Sequence, residues 1–103
     1  MQTTITARHG EVPEELKARA HVLVERLALR TTRPTSAQVT FVVERSRAEA
    51  EIVLKAARGA TFVARAEADD ARTALDRVAA KLQRQLEKTE DKPARRALRK
   101  MAS

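Results

Sequence analysis

Five cations at helical spacing are the residues of this chain best placed to do chemistry: Arg77, Lys81, Arg84, Lys88 and Lys92. At about 100° per residue they fall within a sector of roughly 80°. Asp76, Glu87, Glu90 and Asp91 collect on another flank, and Ala71, Leu75, Val78, Ala79, Leu82 and Leu86 form an apolar face. Scattered surface charge would mix the signs. Segregated charge presents a Lys or Arg about every 5.4 Å, a repeat that lets several side chains reach neighbouring phosphates of one RNA strand or groove. Arginine adds bidentate phosphate contacts and stacking on bases. A solvated face that only aids solubility is the competing reading, and the separation of acids from bases weighs against it.

Other groups extend this surface or fail to make a second one. On a preceding helix Arg26 and Arg30 share a flank with Arg19, whereas Lys17 lies across the apolar face, so that helix extends the patch only in part. From Pro93 to Ser103 the chain carries Arg95, Arg96, Arg99 and Lys100 with no acid. This stretch reads as a basic tail, either a flexible counterion-releasing arm or a short helix ordered on RNA. His9 and His21 are far apart, there is no cysteine nucleophile and no cluster of metal ligands, so no catalytic residue, metal or cofactor is expected. Asp69 and Asp70 read as helix caps. Phe41 and Phe62 are the only aromatics and both fall on core faces of strands, which disfavours base stacking on a sheet. Recognition should rest on shape, phosphates and ribose hydroxyls.

Composition points the same way. The chain has 103 residues, with 21 Lys and Arg against 14 Asp and Glu, a net charge of +7 that favours polyanionic partners. That length suits one domain with a modest core. Without cysteine the fold cannot rest on disulfides or thiolate metal sites. Met1 to Arg8 lacks the pattern of a signal peptide, and no stretch approaches the roughly 20 apolar residues that span a bilayer. A cytoplasmic location with no membrane partner is the default.

The elements that must position these groups follow from periodicity. Gln2 to Ala7 alternates as a short strand. A helix should run from about Pro13 to Leu29, opened by Pro13, Glu14 and Glu15, with Leu16, Ala20, Leu23, Val24 and Leu27 inward and Val22 the exception. Thr31 to Thr35, with Pro34, breaks it. Ser36 to Arg45 and Glu49 to Arg58 alternate as antiparallel strands, carrying Val39, Phe41 and Val43, then Ala50, Ile52, Leu54 and Ala56, on one face. After a turn at Gly59, Phe62, Ala64 and Ala66 mark a fourth strand, and Val42, Val53 and Val63 leave the opposite face not wholly hydrophilic. The last helix should begin near Ala71 and stop soon after Asp91, because Pro93 follows. The expectation is an α+β domain over residues 1–92, a four-stranded mixed sheet with two helices on one face in the order β-α-β-β-β-α. Residues 93–103 would be the tail.

With these residues in view, the chain resembles the ribosome hibernation promoting factors, also called ribosome-associated inhibitors or ribosomal subunit interface proteins and once labelled modulators of sigma-54. Met1, Gln2, Ile5, Thr6, Leu16, Leu27, Asp70, Ala74, Leu75 and Asp76 carry part of the likeness. The most specific segment is Lys81-Leu82-Gln83-Arg84-Gln85-Leu86-Glu87-Lys88 with Asp91-Lys92, similar to a K-L-x-R-Q-L-x-K signature. The resemblance implies a fold similar to a double-stranded-RNA-binding domain with an added first strand. It also implies binding in the mRNA and tRNA channel of the small ribosomal subunit in stationary phase or stress, which silences and protects idle ribosomes. Arg77, Lys81, Arg84, Gln85, Lys88 and Lys92 match the family's positions for ribosomal RNA contact. Two departures stand out: Ala71 and Arg72 replace aromatic residues usual after the capping Asp70, and Leu23 stands where a basic residue is common. Long members add a dimerisation domain, and the chain resembles the short type.

The sequence therefore predicts a non-enzymatic, cytoplasmic ribosome-binding inhibitor that acts by occupancy on small-subunit ribosomal RNA. Its contacts would be Arg77, Lys81, Arg84, Gln85, Lys88 and Lys92, with Arg26, Arg30, Arg95 and Arg96 beside them. No small-molecule substrate and no obligate homo-oligomer are expected. A general structured-RNA or nucleic-acid-binding module without ribosome preference is the alternative, and a protein-interaction module comes third.

Overall fold

Strict alternation of inward and outward residues builds the sheet, and two amphipathic helices cover one side of it. A computed structural model describes the backbone of residues 1–102 and the side chains of residues 1–89. The elements are β1 (Gln2–Arg8), α1 (Glu14–Ala28), β2 (Ser36–Val43), β3 (Ala48–Lys55), a 3₁₀ turn (Ala57–Gly59), β4 (Thr61–Ala68) and α2 (Ala71–Ala102). The sheet order is β1-β2-β3-β4. β1 pairs parallel to β2, the crossover being α1, and the remaining pairs are antiparallel. This is the expected α+β arrangement.

Register turns the alternation into rows of inward side chains across the strands. Ile5, Val39, Ile52 and Ala64 make one row, and Ala7, Phe41, Ala50 and Ala66 the next. Phe41, Val39, Ile52 and Leu54 are fully buried beneath Val24 of α1 and Leu75, Val78, Leu82 and Leu86 of α2. Ala48, Ala50, Ala64, Ala66 and Ala68 keep the β3–β4 end of this surface flat, so α2 settles chiefly on β4 and β3. Each large buried side chain contributes about 1.5–3 kcal/mol relative to exposure. Val22 is exposed, as expected, while Val12, Ala28 and Ala74 are buried without having been assigned to the core.

Ends differ from expectation where backbone geometry intervenes. β2 stops at Val43, short of Arg45, because the Glu44 N–H donates to the Arg47 carbonyl and closes the hairpin. β3 stops at Lys55 and not near Arg58: Arg58 (φ 63°) and Gly59 (φ 72°) are both left-handed, the pairing of a type I′ turn, whose twist matches that of the strands it joins. At Gly10 a Cβ would sit 3.1 Å from the Cβ of Val43, closer than ordinary contact, so glycine eases the close approach to the end of β2. The bounds of α2 pass Pro93, beyond the expected stop soon after Asp91. Proline removes one helical N–H and costs about 3 kcal/mol against alanine, but its fixed φ is itself helical, so the geometry is costly there and not barred. α2 runs through residue 92, where the division into domain and tail is expected, and the side chains of Lys92, Arg95 and Arg96 lie outside the described residues.

Asp70 starts α2 by accepting from the backbone N–H of Thr73 at 2.8 Å and from its hydroxyl at 3.0 Å. The backbone bond first and the hydroxyl second hold the Asp70 carboxyl below the ordinary aspartate range.

Two outcomes follow. Arg58→Asn, which tolerates left-handed backbone better, should stabilise the fold by on the order of 1 kcal/mol in denaturant titrations; a lower unfolding midpoint would contradict the turn assignment. For Asp70, depression of the folded pKa means that its contribution is complete above the unfolded value of about 3.9 and is lost as pH falls through the folded value. Asp70→Asn keeps a capping acceptor without titrating, so its melting temperature should fall less than the parent's on acidification. Parallel melting curves below pH 5 would remove this role.

Candidate nucleic-acid interface

Seated on the sheet, α2 directs its two charged flanks to opposite sides. The acidic flank meets α1. Asp76 accepts from Arg19 Nη2 at 3.0 Å and Nε at 3.3 Å, and Glu87 lies 3.6 Å from Arg30 Nη1. Gln83 Nε2 also donates to Glu87, at 3.2 Å. The acids of α2 thus clasp α1, and Arg19 and Arg30 answer them instead of simply enlarging the basic stripe. Arg26 has no such partner among the described residues. It stands on the rim of the interhelical groove, over Leu23, Leu27, Ala79 and Ala80. Glu90 and Asp91 lie outside the described side chains.

The basic flank divides into two rows. Nearer the sheet, Arg77 Nη1 donates to the Glu67 carbonyl at 2.9 Å, Lys81 Nζ to the Arg65 carbonyl at 2.9 Å, and Gln85 Nε2 to the Val63 carbonyl at 3.3 Å. Three residues one turn apart on the helix therefore meet alternate carbonyls of β4. Farther out, Arg84 and Lys88 make no hydrogen bond or ion pair among the described residues. Arg77, Lys81 and Arg84 border an open recess that Thr73, Ala80 and the carboxylate residues Glu67 and Asp76 also line. Each bonded cation keeps donors to spare, since lysine carries three and arginine five. Arg77 and Lys81 therefore have donors left for an anion such as a phosphate while keeping their contacts to β4.

On the uncovered face of the sheet two arginines are paired with carboxylates. Arg65 Nε lies 2.8 Å from Glu49 and Arg65 Nη2 donates to Glu51 at 2.7 Å, while Arg47 pairs with Glu67. The hydrogen bond to Glu51, and then the fields of Glu49 and Glu51, raise the Arg65 pKa above the usual arginine value. Among the described residues Arg26, Arg84 and Lys88 of the helices have no carboxylate partner, and neither have Arg8, Arg33, Arg45, Lys55 and Arg58 at strand ends and turns. What sets α2 apart is that its cations follow one another about a turn apart on one flank. Among the described residues no group of His, Cys, Asp and Glu could hold a metal ion, and no helix is long and apolar enough to cross a membrane.

Arg77, Lys81, Arg84 and Lys88, grouped by the helical wheel, lie on one flank of α2, and Gln85, named through the family resemblance, lies beside them at the sheet border; the side chain of Lys92 lies outside the described residues. The sequence reading missed the β4 carbonyls as partners of this flank. One signal was available: Ala74 lies about 20° from both Lys81 and Gln85 on the helical wheel. A buried Ala74 brings that side of α2 down to the sheet edge.

Comparisons with known proteins agree with this architecture. Residues 3–94 match the family described as sigma 54 modulation protein / S30EA ribosomal protein. A ribosome hibernation promoting factor of Azotobacter vinelandii is 35% identical over 96 residues, spanning 93% of this chain and 89% of that protein. The fold is similar to the N-terminal domain of Protein Y from Thermus thermophilus, with a TM-score of 0.73 at 22% identity, covering 86% of this chain and 99% of that one. It is also similar to a ribosomal subunit interface protein from Coxiella burnetii, with a TM-score of 0.70 at 22% identity, covering 88% of this chain and 99% of that one. The signature around Lys81 to Lys88, the strand order and the match over residues 3–94 converge: the chain belongs to the sigma 54 modulation protein / S30EA ribosomal protein family.

Proposed function

We propose that this protein is a cytoplasmic ribosome hibernation factor whose helix layer docks on ribosomal RNA of the small subunit. It occupies the channel that mRNA and tRNA otherwise fill, and so silences and protects idle ribosomes under stress. No chemical step is involved; inhibition is by occupancy.

The observation that supports this reading is a family member whose α2 lines up Arg77, Lys81, Arg84 and Lys88 on one flank with no carboxylate bonded to any of them among the described residues. Arg84 and Lys88 are the leading phosphate ligands, because neither has another partner among the described residues. Arg77 and Lys81 add their remaining donors around the same recess, and Gln85 offers its amide at the border of the sheet. Arg26 contributes from α1 across the groove, and Arg30 does so while facing Glu87. Lys92, Arg95 and Arg96 continue the basic series along the chain. The two phenylalanines support the absence of a stacking platform, since Phe41 is fully buried and Phe62 packs partly against the core. Contacts of this kind read RNA shape and backbone and leave base identity largely unread.

Co-sedimentation with isolated small subunits across a salt series tests the proposal. Binding should weaken steeply with salt, because each phosphate contact contributes about 0.7–0.9 to the slope of log affinity on log salt. Arg84→Glu with Lys88→Glu should abolish co-sedimentation while leaving the melting temperature near that of the parent. Retention of ribosome binding in that double variant would reduce the stripe to a solvated face. Equal affinity for unrelated structured RNA would favour a general RNA-binding module.

A further inference from the structure

We infer that Arg77, Lys81 and Gln85 seal the outer edge of β4 against strand addition, the excluded strand being β4 of a second copy of this chain. This holds whatever the helix layer binds. β4 ends the sheet order, so its outward backbone groups face no strand. An edge of this kind templates pairing with another chain unless something blocks it.

The usual guards are missing from the strand itself. Thr61–Ala68 contains neither proline nor lysine. Its register with β3 runs unbroken from Lys55↔Thr61 to Ala48↔Ala68, without a bulge. Its charges do not forbid self-pairing either: two antiparallel copies centred on Ala66 would set Arg65 opposite Glu67 in both directions. Protection comes instead from α2, whose side chains occupy the carbonyls of Glu67, Arg65 and Val63 in turn.

Geometry explains why three successive contacts are possible. Four helical residues advance about 6.0 Å and two strand residues about 6.7 Å, so an antiparallel helix and strand stay nearly in step. Residues at i, i+4 and i+8 therefore meet carbonyls at j, j−2 and j−4. The long side chains absorb the small mismatch. The stripe divides its labour: the inner row closes the edge, and Arg84 and Lys88 stay free.

Two variants that each remove two positive charges test the seal, R77A/K81A/Q85A and R84A/K88A. Sedimentation velocity over a wide concentration range should show the triple variant associating and the double variant monomeric. The triple variant should melt about 5–10 °C lower and the double variant with the parent. In the associated triple variant, amide exchange should slow at Val63, Arg65 and Glu67. K81M, which keeps the apolar stem, gives the same readout in milder form should the triple variant not fold, and R77K/K81R, which keeps donors, should stay monomeric. A triple variant that is monomeric and melts with the parent would overturn the inference. So would equal association of both variants, which charge loss alone explains, or association that leaves those three amides unprotected.

Discussion

The seat of α2 on the alanine-lined end of the sheet is the constraint on which the rest of the molecule depends. Ala64, Ala66 and Ala68 of β4 and Ala48 and Ala50 of β3 offer little relief. Leu75, Val78, Leu82 and Leu86 can therefore press down until they are fully or almost fully buried. Close packing resists changes of even one methylene, so the azimuth of the helix is set to within a few side-chain positions. Ala74 belongs to this contact: it has no exposed surface and lies on the side of the helix that faces β4.

Once that azimuth is set, the polar flanks have no freedom of direction. The acids face α1 and meet Arg19 and Arg30, and the bases face the β4 edge and solvent. These contacts are half exposed, and such ion pairs are worth roughly 0–1 kcal/mol each. They orient the helices more than they hold the fold together. Their effect on the field of the surface is larger than their effect on stability, because a neighbouring carboxylate offsets much of a cation's field. Arg47 and Arg65 are paired in this way on the sheet, and Arg84 and Lys88 are not.

A surface made this way offers a partner a fixed array of charge on a shaped helix face. Its cations sit on a rigid helix backed by a close-packed core, so little main-chain order has to be gained on binding. Arg77 and Lys81 are held further by β4, which reduces the rotamer freedom that an RNA contact would otherwise have to restrict. The type I′ turn at Arg58 and Gly59 and the Asp70 cap fix the two ends of β4, and with them the carbonyls that α2 reaches.

Much of this was legible in residue order. Period two revealed β2, β3 and β4, and the wheel separated the core, basic and acidic flanks of α2, because both patterns are local and follow from the pitch of the chain. The Lys81 to Lys88 segment was the most specific part of a family resemblance that runs along nearly the whole chain. Element ends were less legible: left-handed backbone at Arg58 and the Glu44–Arg47 bond are decided by strand twist and hairpin closure, not by side-chain pattern. Which cations are free was not legible at all. Arg30 and Arg26 share a flank in sequence, yet one meets Glu87 from a distant turn of another helix; Lys81 and Arg84 share a stripe, yet only Lys81 touches β4. Sequence alone determined which residues lie on a common flank, since that depends on helical geometry. Tertiary structure decided which of them are already bonded, since that depends on what the packing of α2 brings within about 3 Å.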